Sequence, residues 1–276
     1  MSLLAILAAL ASASFNALAS ALHHQAGARR SGFAVVLHPR WLLGLVAAAA
    51  GFTLHTLALR LGQLAVVQPA LVSGLVFALP IAALLEKRRV GAAQLGWSLT
   101  VVLGLALFLG LARPTVGPPT APAGILAAAV GLVTALAAGS YLVGVRWRRH
   151  RPALWAFAGG AGYGVVAALM KQDVGLLDVG IRQLVTSWAF YALLVVGPVS
   201  VAVNQAAFNA GPLVSSLPML TIANPIVAIA LGAVAFGERI ASGPLPLAGQ
   251  ALGFVVMAVG VVAMAAPALQ PRGEDV

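Results

Sequence analysis

Residues 58–86 read ALRLGQLAVVQPALVSGLVFALPIAALLE. Beyond its first few residues the segment stays apolar long enough to cross a lipid bilayer, which takes about 20 residues. It nevertheless carries Gln68, Pro69, Ser73 and Pro80 in its interior. Proline removes a backbone donor and leaves a carbonyl that needs another partner inside the membrane. The segment is therefore predicted to be a spanning helix whose polar interior has a role beyond crossing the bilayer.

The same pattern returns 149 positions later in the chain. Five of the 14 positions from Ala58 to Leu71 are then identical. The following helix matches at an offset of 153, and the two copies close on Glu86 and Glu238. A repeat of this length in a membrane protein indicates two related halves.

The composition excludes a soluble globular domain, because 61% of the residues are hydrophobic, 8% are charged and the mean hydropathy is +1.02. The net charge of +10 does not indicate nucleic acid, since the basic residues lie in short runs between apolar segments. The chain has no cysteine, so it has neither a disulfide nor a thiolate metal site. The first apolar segment has no preceding positive charge and is followed by Arg29 and Arg30, which favours a retained helix over a signal peptide.

Apolar segments of spanning length predict an all-α polytopic membrane protein with about nine transmembrane helices in two inverted repeats, four helices and then five. The predicted spans are 3–22, 41–60, 63–85, 93–112, 122–145, 152–171, 184–209, 212–237 and 245–267. The predicted organisation is a first half over 1–112, a proline-rich linker over 113–121, a second half over 122–268 and a cytoplasmic tail over 269–276.

Basic residues between the spans predict the orientation. One side would carry Arg29, Arg30, Arg40, Lys87, Arg88, Arg89, Arg146, Arg148, Arg149, Arg151 and Arg272, and the other Arg60, Arg113, Lys171, Arg182 and Arg239. The more basic side faces the cytoplasm, so we expect an external N-terminus and a cytoplasmic C-terminus in the plasma membrane. The two repeat copies would then run in opposite directions, as in alternating-access transporters.

Polar residues inside the spans are the candidate functional residues. Ser12, Asn16, Ser20 and His24 form one stripe on the first helix, which fits either interhelical hydrogen bonding or the lining of a cavity. His55 is ionisable within a span and titrates near neutral pH, so it could carry a coupling proton or be a neutral packing residue. The predicted substrate-cavity lining is Asn16, His55, Gln68, Ser73, Tyr163, Asn204, Gln205, Thr221 and Asn224.

Known catalytic patterns are absent from the sequence. It contains no HExxH, no GxSxG and no paired carboxylates, and no span as drawn above has an acidic residue in its middle. We therefore expect no enzyme activity, no cofactor and no metal site.

The pattern from Leu64 to Pro69 with Glu86, repeated as Pro218 with Glu238, resembles the EamA-type repeat of the drug/metabolite transporter superfamily. The nine-helix form is similar to the NIPA-like magnesium-transporter branch, whereas most members have ten helices. The resemblance implies a substrate cavity between the halves. The small multidrug exporters of the superfamily use a glutamate in the first helix, and this chain has Ser12, Asn16 and Ser20 there.

The expected function is secondary transport of a small organic solute across the plasma membrane by alternating access. One alternative is transport of magnesium or another divalent cation, and another is a non-transporting membrane protein that binds lipid or a partner. The expected partners are a small-molecule solute and membrane lipid, and no nucleic acid. A coupling proton or cation and a homodimer are left open.

Overall fold

The computed structural model describes residues 3–27, 38–85, 91–115, 117–211 and 213–264. These residues form helices connected by short turns, and their β-structure is limited to one isolated bridge between Thr115 and Arg239. The helices are α1 (Leu3–Gly27), α2 (Pro39–Leu61), α3 (Leu64–Val72), α4 (Gly74–Leu85), α5 (Ala92–Ala112), α6 (Ala123–Arg146), α7 (Arg151–Val179), α8 (Ile181–Val185), α9 (Trp188–Asn209), α10 (Leu213–Phe236) and α11 (Pro244–Met264). The prediction of an all-α polytopic membrane protein is confirmed.

Seven helices in the described ranges are long and apolar enough to cross a membrane, namely α1, α2, α5, α6, α7, α9 and α11. The segment quoted at the start is divided into α3 and α4, and α10 contains a shorter apolar stretch over Ile222–Phe236. The count of nine crossings and the division into four and five helices stay predictions.

The break between α3 and α4 falls at Ser73. Its hydroxyl donates to the Ala70 carbonyl at 2.6 Å, and its backbone N–H bonds the same carbonyl at 3.2 Å. Pro69 lies inside α3 and Pro80 inside α4. The serine thus satisfies backbone that the interruption would leave unpaired in an apolar environment.

Neighbouring helices approach closely where glycine faces a partner. On α5, a Cβ at Gly104 would lie 2.5 Å from the Met257 backbone nitrogen of α11, and Gly253 is equally tight against Phe108. The α1–α2 and α7–α9 pairs are both antiparallel and place polar side chains against glycine. Ser12 Oγ donates to the Gly51 carbonyl at 2.8 Å. Small residues of this kind let helices pack closely in lipid.

The N-terminal and C-terminal helices meet in two places. One is the end of the bundle where α2, α7 and α10 end and α3 begins, here called the Glu238 end. There α2 packs on α7, and α3 packs on both α7 and α10. At the other end, α4 packs on α1 and α5 and makes no extensive contact with α7, α9 or α10 in the described residues. The other place is the more extensive α5–α11 pair, in which Gly249 packs on Leu111 near the Glu238 end and Gly260 packs on Val101 toward the other end.

Helix α7 continues further than the sequence predicts. The sixth span was predicted to end at residue 171, whereas α7 has 29 residues and ends at Val179, followed by Gly180 at φ 150°. It is about 43 Å long. Lys171 and Asp173 are therefore buried helix residues. The predicted end of this span at residue 171 is wrong, because the apolar pattern was read as ending too early.

Several predictions fall outside the described residues. These are Glu86, the basic segments at 28–30 and 87–89, and the cytoplasmic tail at 269–276. The side chains of His24 and Thr221 are also outside the description.

Candidate functional site

A buried ion pair joins α7 to the residue that follows α10 at the Glu238 end. The Lys171 ammonium bonds the Glu238 carboxylate, and the two side chains are 5% and 2% exposed. The ammonium also lies 5.1 Å from the centroid of the Phe236 ring. The pair compensates two charges that would each be costly alone in a water-poor interior.

Glu238 also caps helix α3. Its Oε1 accepts the Leu64 N–H at 3.0 Å, and its Oε2 accepts the Ala65 N–H at 3.4 Å. The α3 N-cap residue, Gln63, makes no side-chain capping bond, so the carboxylate serves N–H groups that the helix itself leaves unpaired. A negative charge is also favourable at the positive end of the helix dipole.

Two glycines leave room for this arrangement. A Cβ at Gly232 would lie 2.5 Å from Glu238 Oε2 and 3.3 Å from the Leu64 Cβ. Gly237 ends α10 at φ 59°, a left-handed conformation that glycine adopts without a side-chain clash. The chain can therefore turn back and aim the carboxylate at α3.

A second ion pair lies closer to the surface. Arg60 of α2 bonds Asp178 of α7, with side chains 58% and 39% exposed. Between this pair and Lys171 is a cavity of about 120 Å³, whose lining also includes Gly117 and Val174. The two ion pairs thus connect α2, α3, α7 and the end of α10, and the small cavity lies between α2, α7 and the segment before α6.

Asp173 is buried in α7 at 7% exposure, and neither of its carboxylate oxygens has a hydrogen-bond partner among the described residues. The preceding Gln172 accepts the Ala121 N–H at 2.7 Å and donates to its carbonyl at 3.5 Å. The segment before α6 is therefore fastened to α7 one residue away from an unpaired acid.

The structure brings together two of the predicted residues on α2 and α3. His55 Nε2 and Gln68 Nε2 lie 3.5 Å apart, with Gln68 2% exposed and His55 half-buried. Their donor and acceptor roles depend on the histidine tautomer. The contact fits a neutral packing histidine, and the coupling role stays a prediction.

A second pair of predicted residues lies between α7 and α9. Asn204 is 3% exposed, packs against Gly159, and donates to the Ser200 carbonyl at 3.1 Å. Tyr163 lies near the Asn204 side chain. Asn204 Oδ1, like Asn224 Oδ1 on α10, is buried without a hydrogen-bond partner among the described residues.

The remaining predicted residues are dispersed. Asn16 is exposed and donates to Ser12 Oγ at 3.3 Å, which places both polar residues at the α1–α2 contact. The Ser73 hydroxyl bonds the Ala70 carbonyl at the break between α3 and α4. Gln205 is exposed on α9. The described structure thus forms two separate polar pairs from the predicted set, and a single cavity lined by all nine stays a prediction.

A cavity of about 470 Å³ is an apolar groove between α6, α7 and α9. Val133, Leu142, Val165, Val195 and Val199 are among its lining residues. None of the nine predicted cavity residues lines it, and its exposed aliphatic walls suit lipid contact.

The chain is 32% identical to "Uncharacterized protein Cgl0250/cg0304" of Corynebacterium glutamicum over 290 residues, which covers 98% of each chain. The chain belongs to the same family as this protein. No protein-family model and no solved structure matches it. The similarity to Cgl0250/cg0304 extends along nearly the whole of both chains, and the description of that relative names no activity.

For this member of the Cgl0250/cg0304 family, sequence reasoning missed Lys171 and Asp173. The polar run Lys171-Gln172-Asp173 follows an apolar segment, and it was read as the start of a loop. The apolar stretch from Val174 to Leu177 could have shown that the helix continues beyond this polar run. Glu238 was noticed as the end of the second repeat copy, but its partners lie 67 and 174 residues away and could not be identified from spacing.

Proposed function

We propose that this protein is a secondary transporter of a small organic solute and works by alternating access between two inverted halves of four and five helices. The observation that carries the proposal is the uneven contact that α2, α3 and α4 make with the C-terminal helices, beside the α5–α11 pair that packs along the bundle. Helices α2 and α3 are tied to α7 and the end of α10 at the Glu238 end, while α4 at the other end makes no extensive contact with α7, α9 or α10 in the described residues. Such asymmetry is what a transporter closed on one side requires.

The ties at the Glu238 end are suited to repeated opening. They consist of ion pairs and hydrogen bonds between elements distant in the chain, namely Lys171–Glu238, Arg60–Asp178 and the Glu238–Leu64 bond. Polar contacts can be exchanged for water when a cavity opens, since water then hydrates the separated groups. The Glu238 end would be extracellular, because Arg146, Arg148, Arg149 and Arg151 lie at the other end.

The proposal includes membership of the drug/metabolite transporter superfamily and a location in the plasma membrane. The antiparallel α1–α2 and α7–α9 pairs support it, since each packs polar residues against glycine. Magnesium is less well supported, because the described residues contain no group of three histidine, aspartate or glutamate side chains able to hold a metal ion.

Counterflow in proteoliposomes tests the function. The purified protein is first screened by thermal shift against a panel of metabolites and cations. Solutes that raise the melting temperature are then loaded into liposomes and assayed for counterflow of the radiolabelled solute. We expect saturable counterflow above that of protein-free liposomes. Stabilisation by a solute that shows no flux would instead identify a non-transporting binding protein.

A further inference from the structure

The apolar groove between α6, α7 and α9 exists because α6 and α9 both pack on α7 and make no extensive contact with each other in the described residues. Its floor is formed by Ala158, Gly162 and Val165 of α7, and its walls are side chains of α6 and α9. Two of the wall residues, Leu142 and Val195, are 66% and 63% exposed. The groove is therefore open sideways to the hydrocarbon of the bilayer, and its volume of about 470 Å³ is that of a ligand pocket.

The groove has the depth of one bilayer leaflet. Along α6 its lining runs from Val133 to Leu142, which is about 14 Å at the rise of an α-helix. Half of a typical hydrocarbon core is about 15 Å. Leu142 lies one helical turn before Arg146, where α6 ends. The groove thus begins just inside the turn between α6 and α7 and reaches toward the middle of the membrane, as an acyl chain does.

The floor of the groove continues along α7 to a positive charge. Residues at successive spacings of four, three, four and three positions share one face of this helix, namely Arg151, Trp155, Ala158, Gly162 and Val165. Arg151 is the first residue of α7, so it lies at the end of the groove that is nearest to the turn. The apolar floor therefore leads to a guanidinium group.

The Arg151 guanidinium is held in place and still has donors for a ligand. Its Nε donates to the Gly144 carbonyl at 3.2 Å, and its Nη2 donates to the Val145 carbonyl at 3.1 Å. It also lies 5.1 Å from the centroid of the Trp155 ring, which stacks on Tyr141 of the groove lining. A guanidinium has five N–H groups, and only two of them are used here. A group that is ordered in advance loses less entropy when it binds.

The turn from Arg146 to Arg151, here called the basic turn, has no counter-charge in the described residues. Arg148 and Arg149 are exposed, and all the acidic side chains that the structure describes lie toward the Glu238 end, away from this turn. Trp147 in the same turn is 62% exposed, as is common for tryptophan at the level of lipid headgroups. The turn therefore places uncompensated positive charge beside the headgroups, where the groove begins.

We propose that the groove and the basic turn together bind one anionic phospholipid from the leaflet on that side of the membrane. One acyl chain lies in the groove between α6 and α9, and the phosphate is bound by Arg151 with the exposed Arg148 and Arg149 beside it. Arginine suits this role because its planar group can donate two parallel hydrogen bonds to phosphate. Membrane topology alone accounts for basic residues in the turn, but not for an arginine fixed at the end of a groove one leaflet deep.

Native mass spectrometry of the full chain in detergent tests the headgroup part of the site. The probes are dioleoyl phosphatidylglycerol and dioleoyl phosphatidylcholine, which have the same acyl chains and differ in net charge. We expect one phosphatidylglycerol to bind at least about fivefold more tightly than phosphatidylcholine. Arg151→Gln should weaken the binding of phosphatidylglycerol about tenfold, because it removes charged hydrogen bonds. Arg40→Gln, at the start of α2 and at the same end of the bundle, is the control and should change little.

A second headgroup variant covers the case in which Arg151→Gln disturbs the turn, since Arg151 also packs on Trp155. The double variant Arg148→Gln with Arg149→Gln changes only exposed side chains and should also weaken the binding of phosphatidylglycerol.

A change in the groove tests the acyl-chain part of the site without altering charge. Ala138→Phe adds a ring to the α6 wall and takes up space in the groove, so the acyl chain loses packing contacts. Ala135→Phe is the matched control, because Ala135 is exposed on α6 and does not line the groove. We expect Ala138→Phe to reduce the fraction of chains that carry phosphatidylglycerol and Ala135→Phe to leave it unchanged.

Four results would overturn the proposal. The first is equal affinity for the two lipids. The second is binding that Arg151→Gln and the double variant weaken no more than Arg40→Gln does, which would indicate general attraction to positive charge. The third is binding that is insensitive to Ala138→Phe. The fourth is a dimer without bound phosphatidylglycerol that Ala138→Phe dissociates, which would identify a second copy of the chain as the occupant of the groove. None of these measurements uses solute flux, so the result does not depend on the transport function.

Discussion

Glu238 Oε1 accepts the backbone N–H of Leu64 at 3.0 Å across 174 residues of sequence. Leu64 begins α3, and Glu238 follows the end of α10, so this hydrogen bond joins the N-terminal helices to the C-terminal ones. The same carboxylate binds Lys171 of α7. One side chain thus ties α3, α7 and the end of α10 together, and the first two predictions concern it.

Removing the positive partner of Glu238 should destabilise the protein strongly. Lys171→Met leaves a buried carboxylate uncompensated, which typically costs about 3–5 kcal/mol. Thermal unfolding in detergent measures the effect. The double variant Lys171→Met with Glu238→Gln carries no buried charge and should recover most of the loss. Arg60→Gln breaks the exposed pair and should cost no more than about 1 kcal/mol. Equal losses for Lys171→Met and Arg60→Gln would contradict the burial argument.

Filling the space beside the carboxylate should open the Glu238 end. Gly232→Ala places a Cβ 2.5 Å from Glu238 Oε2, so the carboxylate must leave Ala65 or α10 must shift. Val174 lines the cavity at the Glu238 end and is 8% exposed, so we expect a membrane-impermeant maleimide to label Val174→Cys faster in this background. The matched control is Gly139→Ala, on an exposed face of α6 with nothing within 4 Å of the added carbon. A labelling rate equal to that of the control would show that the contact is easily accommodated.

The orientation can be tested with two cysteines. Thr115→Cys lies at the Glu238 end beside Arg239, and Arg149→Cys lies in the basic turn between α6 and α7. We expect an impermeant reagent to label the first in intact cells and the second only after permeabilisation. Labelling of both positions in intact cells would rule out the proposed orientation and with it the extracellular position of the Glu238 end.

The coupling role of His55 can be tested by substitution. The contact of His55 with Gln68 suits a neutral side chain, so His55→Gln should keep pH-driven accumulation of solute. If His55 instead carries the coupling proton, this variant should lose pH-driven accumulation of solute while exchange continues. Measuring accumulation and exchange in the same preparation separates the two roles.

Replacing Asn204 tests the second polar pair. Asn204→Leu removes the amide that packs against Gly159 and faces Tyr163, and we expect weaker binding of any transported solute. The thermal shift given by a solute from the panel reports its affinity. Gln205→Leu, at the neighbouring exposed position, is the control for a general effect of polarity on α9. Equal loss of affinity in both variants would argue against a specific role for Asn204.

The sequence by itself determined the class of the protein and the approximate position of its helices. The reason is local: in a bilayer every backbone N–H and C=O must be satisfied within its own helix, so apolar length alone reveals a span. It also indicated that Glu238 ends a repeated unit. It could not locate the end of α7, because polar residues inside a spanning helix look like a loop until their partners are known.

Only the tertiary structure decided which polar groups are paired and which are not. Lys171 and Glu238, His55 and Gln68, and Tyr163 and Asn204 meet because helices from different parts of the chain pack together. A hydrogen bond or ion pair forms only when the two groups are within a few ångströms of each other, and the number of residues between them in the sequence does not predict that distance. For the same reason, the unpaired state of Asp173 could be recognised only after its surroundings were known.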